Sequence, residues 1–179
     1  MHPNDLARIA RQNCTKVPGV ETNTVPLGHG LQVAVGIARA AKITGAACHT
    51  YAMTGDGEMQ KGSNWEAISA AAQFGLGNLT LIIDHNRFQQ GAALQDTNNL
   101  APFASKLAAF GWQVTEIDGH DMGQIVPALE ARFDRPHAIV AHPNKRQGIS
   151  FMQDTVDWHH KVPNAAQYQI VLADLSEEM

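Results

Sequence analysis

Two apolar runs ending in oxygen-bearing residues constrain this chain more than any other feature. The first, Cys48 to Thr54, leads into Gly55-Asp56-Gly57-Glu58; the second, Leu79-Thr80-Leu81-Ile82-Ile83, ends on Asp84-His85-Asn86. A segment with helical spacing, Ser63 to Phe74, lies between them. If both runs are strands of one parallel sheet, ligands bind outside their carboxyl ends, where Asp56 and Asn86 fall. A carboxylate and an amide carbonyl are hard oxygen ligands suited to Mg²⁺, which shares its octahedral sphere with phosphate oxygens. Gly55 and Gly57 let the backbone turn and come close enough for its N–H groups to meet a diphosphate. Taken alone, Gly-Asp-Gly is also an ordinary strand-ending turn. Asn86 at the end of the paired run favours the metal-diphosphate reading.

The rest of the chain alternates in the same way. Residues 1–28 are rich in Pro, Gly, Asn and Thr, and read as extended loop with one short helix around Leu6–Gln12. From Gly30 to Ile43, Leu31, Val33, Ala34, Val35, Ile37, Ala38, Ala40 and Ala41 cover most of a helix surface, and such a helix is covered on several sides, by a sheet or by a second protein chain. Gly36 lowers its intrinsic propensity by about 1 kcal/mol and permits close helix approach; Gly45 ends it. Ser63 or Asn64 caps the next helix, with Glu66 in its first turn. Its buried face is Ala67, Ile68, Ala70, Ala71 and Phe74. Gln89 to Asn99 is loop, Pro102 to Phe110 helix, Trp112 to Ile117 strand, Met122 to Arg132 helix and His137 to Ala141 strand. A C-terminal helix starts at Ala165. The order implies an α/β fold, a doubly wound and mostly parallel sheet in a single domain over 1–179.

Composition removes several function classes. Charged residues make up 17% and the net charge is -4, with a pI near 6.1, so there is no electrostatic case for nucleic acid. Cys14 and Cys48 have neither CxxC spacing nor a disulfide framework, and Cys48 reads as a buried free thiol. No run approaches membrane-spanning length and the N-terminus is not a signal peptide, so the expected compartment is the cytoplasm.

The segment from Gly55 to Ala67, running on to Asp84-His85-Asn86-Arg87-Phe88-Gln89, resembles the thiamine-diphosphate motif of the transketolase family. Pro18-Gly19-Val20-Glu21 with Pro26-Leu27-Gly28-His29-Gly30-Leu31 is similar to the family's loop over the thiazolium ring. Asp118-Gly119-His120-Asp121 and Gly148-Ile149-Ser150-Phe151-Met152 through Trp158-His159 also fall in family order. The resemblance implies thiamine diphosphate with Mg²⁺ (or Ca²⁺) as cofactors. Asp56 and Asn86 would ligate the metal through side chains and Phe88 through its backbone carbonyl. Gly55, the Gly57 amide and His159 would line or contact the diphosphate, and Leu27 would sit against the cofactor rings. His2 matches a substrate-facing histidine, which makes His2 and His159 the candidate catalytic pair. The implied reaction transfers a two-carbon ketol unit between sugar phosphates.

The chain departs from the family in three places. A stretch with a Lys-Gly-His segment, which precedes the ring loop in relatives, has no match here. No pyrimidine domain follows. The glutamate that activates the aminopyrimidine comes from that domain, so the resemblance implies a partner pyrimidine-domain chain in a homo- or hetero-oligomer, and an isolated chain without activity. Lys61 stands where relatives carry a glutamate of the network linking two cofactor sites, and Val25 replaces a glycine. The alternative is a shortened, non-catalytic relative that binds cofactor or partner without turnover.

Overall fold

The computed structural model describes residues 8–10, 20–22, 24, 26–89, 92–153, 155, 158 and 161–177. The strands are β1 (Arg8–Ala10), β2 (Val20–Thr22), β3 (Thr50–Gly55), β4 (Leu79–Asp84), β5 (Phe88–Gln89), β6 (Ala92–Ala93), β7 (Gln113–Asp118) and β8 (His137–His142). The helices are α1 (Gly30–Thr44), α2 (Gly62–Gln73), α3 (Leu94–Thr97), α4 (Phe103–Ala109), α5 (Met122–Glu130) and α6 (Ala165–Glu177), and a 3-10 turn spans Glu58–Gln60.

Six strands form one sheet in the order β2-β1-β3-β4-β8-β7. Every pairing in it is parallel. The central strands are buried on both faces, which explains their nearly unbroken apolar runs. On one face α1, α2 and α4 pack Leu31, Ala38, Ile68, Phe103 and Leu107 against Leu81, Ile83, Ala138 and Val140. On the other, α5 brings Ala128, Ile125 and Leu129 to Ile82, Ile117, Ile139 and Ala141. The sheet is thus doubly wound, as its alternation implied. β5 and β6 form a separate antiparallel pair. Among the described residues no helix is long and apolar enough to cross a membrane.

Several local expectations change. Residues 8–10 are a strand paired with β3 (Ile9 opposite Tyr51), not part of a helix, because the open ladder of β3 offers more backbone bonds than an isolated helical turn. The segment 89–99 holds β6 and α3 rather than loop alone. Cys48 is free but half-buried. Neither Ser63 nor Asn64 caps α2: the helix starts at Gly62 with no side-chain cap, and both side chains are committed to contacts elsewhere. Phe74, expected on the buried face of α2, is 40% exposed beneath the Arg39 guanidinium, which lies 4.6 Å from its ring centroid. α1 buries one face through Leu31, Ala34, Val35, Ala38 and Ala41, while Val33 and Ile43 stay open to solvent.

Candidate functional site

β3 and β4 are neighbours in register, with Gly55 opposite Asp84, so their carboxyl ends deliver the two loops side by side. The Asp56 N–H continues the ladder to the Asp84 carbonyl at 3.1 Å. A cavity of about 620 Å³ opens there, lined by Leu27, Gly55, Asp56, Gly57, Asn86 and Phe88 together with Lys61 and Lys145. Six residues singled out from the sequence therefore share one cavity. His2 and His159 lie outside the described residues.

Asp56 is the fixed point. It is 1% exposed, and its carboxylate is held by surrounding donors. Oδ1 accepts the Gly57 N–H at 2.7 Å and Oδ2 accepts the Arg87 N–H at 2.6 Å. His85 Nδ1 lies 3.1 Å from Oδ2. Arg87 adopts φ 68°, a left-handed conformation costing a non-glycine residue about 1–2 kcal/mol, and its amide thereby reaches Asp56. Asn86 Oδ1 accepts the Phe88 N–H at 3.0 Å and closes the next turn. The Gly57 amide, expected to face a diphosphate, is engaged by Asp56.

These residues fit a divalent cation that arrives with its own phosphate oxygens. A carboxylate has about four lone-pair sites and an amide oxygen two, so Asp56 and Asn86 each keep acceptor capacity beyond the bonds above. Among the described residues no group of three His, Cys, Asp or Glu side chains could hold a metal, so a cation here would need amide, carbonyl and ligand oxygens as well. Charge also favours a cation. Asp84 Oδ1 is buried without a hydrogen-bond partner among the described residues. Burial, and to a smaller degree the Asp56 charge, push the Asp84 carboxyl above its usual range, against a hydrogen bond from Asn86.

Lys145 was not anticipated from the sequence. It lies just past the end of β8, the strand beside β4, and lines the same cavity. Its Nζ stands 5.8 Å from the Phe88 ring centroid. Burial and then Arg146 hold its pKa below the usual lysine value, while Asp56 and Asp84 pull it upward. The rule that ligands gather at strand carboxyl ends was the available signal.

The model of the transketolase thiamine diphosphate binding domain matches residues 10–161. One of the component chains of an apulose-4-phosphate transketolase from Actinobacillus succinogenes is 44% identical over 165 residues, 91% of this chain and 60% of that protein. Its namesake from Phocaeicola vulgatus is 40% identical over 167 residues, 92% of this chain and 59% of that one. This chain thus spans about 60% of the length of these two relatives. The crystal structure of a transketolase from Campylobacter jejuni superimposes with a TM-score of 0.75 at 26% identity, over 91% of this chain and 31% of that one.

Proposed function

The chain belongs to the transketolase family, matching its thiamine diphosphate binding domain, and from that premise we propose that it is the cofactor-holding subunit of a ketol transferase. The observation that carries this reading is the single cavity shared by Leu27, Asp56, Gly57, Asn86 and Phe88. Asp56, Asn86 and the Phe88 carbonyl would hold Mg²⁺, which would offset the charge of the diphosphate. Lys145, which lines the same cavity, would add a positive charge for that anion. The Gly57 N–H, bonded to Asp56 in this structure, would be a donor for a phosphate oxygen. Leu27 lines the same cavity and would lie against the cofactor rings. Bound there, thiamine diphosphate supplies the carbon nucleophile for cleaving and forming carbon–carbon bonds.

His2 and His159 are proposed to orient the substrate or move its protons. A second chain supplies the glutamate beside the aminopyrimidine, and sugar phosphates are the substrates. Both apulose-4-phosphate relatives are named as subunits, which accords with a divided enzyme. Binding without turnover is the second reading. It draws on Lys61, a cation on the cavity wall where the family carries an acid.

The test is calorimetric titration with thiamine diphosphate in Mg²⁺. Binding is expected for the natural chain and is lost on chelation and in Asp56→Ala. Equal affinity in Asp56→Ala would refute the metal grip.

A further inference from the structure

Leu27 is 43% exposed, so little burial energy holds it against the cavity. Its place comes from the backbone of Gly28, which is gripped on three sides. The Gly28 N–H donates to Glu58 Oε1 at 2.9 Å, and the Gly28 carbonyl accepts from Ser63 Oγ at 2.8 Å. The third side is steric: Gly28 has φ +80°, and a Cβ there would lie 2.5 Å from Lys61 Cβ and 2.9 Å from Ser63 Oγ. A hydroxyl in the first turn of α2 thus ties down a loop thirty-five residues earlier.

Glu58 is itself anchored. It is 5% exposed and follows Asp56-Gly57 directly. Its backbone carbonyl accepts from Asn64 Nδ2 at 2.9 Å, and the next carbonyl, of Met59, accepts from Trp65 Nε1 at 2.9 Å. Asn64 and Met59 are both fully buried. The turn that carries Asp56 and the loop that carries Leu27 are therefore one rigid piece, joined through a carboxylate and a hydroxyl.

We propose that Glu58 and Ser63 are positioning residues that clamp Gly28 and thereby hold Leu27 in place for the ring end of the cofactor. The inference rests on the cofactor reading above and adds a division of labour. Asp56, Asn86 and Lys145 hold the anionic end without the clamp, and the clamp serves only the organic end. A preorganised Leu27 removes an ordering cost from binding.

Calorimetry of the full chain in Mg²⁺, with thiamine diphosphate and with inorganic pyrophosphate, separates the two ends. Glu58→Ala and Ser63→Ala are expected to weaken thiamine diphosphate by about tenfold, the scale of losing one well-placed Leu contact, and to leave pyrophosphate within about twofold. Glu58→Gln keeps an acceptor oxygen and is expected to restore affinity. Leu27→Ala matches Glu58→Ala, and the double variant is no weaker than either. Ser63→Ala carries the comparison if Glu58→Ala fails to fold. Equal loss of both ligands, failure of Glu58→Gln to rescue, or unchanged thiamine diphosphate affinity overturns the clamp while the cofactor reading stands. A natural chain that binds neither ligand overturns both.

Discussion

His49 and His137 sit at the amino ends of β3 and β8, across the sheet from the cavity. His49 Nε2 lies 2.8 Å from Thr80 Oγ1, and His137 Nε2 2.9 Å from Thr115 Oγ1. His137 is 2% exposed and its Nδ1 has no partner among the described residues. Burial first, and then the Arg132 charge, lower both pKa values from 6.5 to about 4; His137 adds to the effect on His49. Folding therefore favours the neutral rings, and between these values the unfolded chain binds more protons. Stability is unaffected well above pH 6.5 and falls as pH drops from there toward 4. Thermal melts between these limits are expected to show a falling midpoint, with a shallower slope in His49→Gln/His137→Gln. An unchanged slope would remove the histidines from the account. Nothing in the sequence set these two apart from the other seven histidines, because burial depends on what packs over each ring. Asp56 and Asn86 were legible because their roles rest on strand ends, which a sequence reveals. Glu58 was not: its acceptor role depends on a contact thirty residues away.

At the scale of elements, sequence periodicity located most helices and strands within a residue or two, and glycine separates the positions that packing demands from those it does not. A Cβ on Gly77, in the turn between α2 and β4, would lie 2.4 Å from the Phe133 carbonyl oxygen. Backbone cannot yield there as a side-chain tip can. Gly77→Ala is expected to cost about 2 kcal/mol, seen as a melting point lower by about 4–8 °C for a chain of this size. Gly36, in the middle of α1, meets nothing within 4 Å. Gly36→Ala is expected to raise chain stability by about 1 kcal/mol, measured in dilute solution by urea denaturation. A loss instead would place a partner against that face. The open Val33 and Ile43 lie on the same helix, so the apolar excess of α1 has no use within the described residues. The missed caps of α2 follow from where the helix starts: with Lys61 at the N-cap, Ser63 and Asn64 lie inside its first turn, and their side chains donate to Gly28 and Glu58.

For the whole molecule, the sheet gathers every described candidate at the carboxyl ends of its strands and leaves the cavity open to solvent. The proposed reaction needs an acid beside the aminopyrimidine, which we assign to a second chain. Ketol transfer from a ketose phosphate is expected only when this chain is mixed with a pyrimidine-domain chain of the family, and the chain alone is expected to bind cofactor without turnover. A coupled assay of each chain and of the mixture measures this. Turnover by this chain alone would overturn the divided-enzyme reading. Sizing at raised concentration is expected to show an oligomer, and a strict monomer would count against α1 as a contact surface.

By itself the sequence determined the alternation of strands and helices, the parallel sheet and the two loops that meet at its carboxyl end. These follow from local periodicity and from the strong preferences of glycine, aspartate and asparagine at strand ends. The tertiary structure decided which side chains serve those loops. Glu58 and Ser63 meet Gly28, and Lys145 meets the cavity, only once the chain is folded, and burial lowers the His137 pKa under packing that no local pattern records. Periodicity is a property of neighbours along the chain. A hydrogen bond to Gly28 or a buried ring depends on segments brought together only by folding, and there the sequence alone is silent.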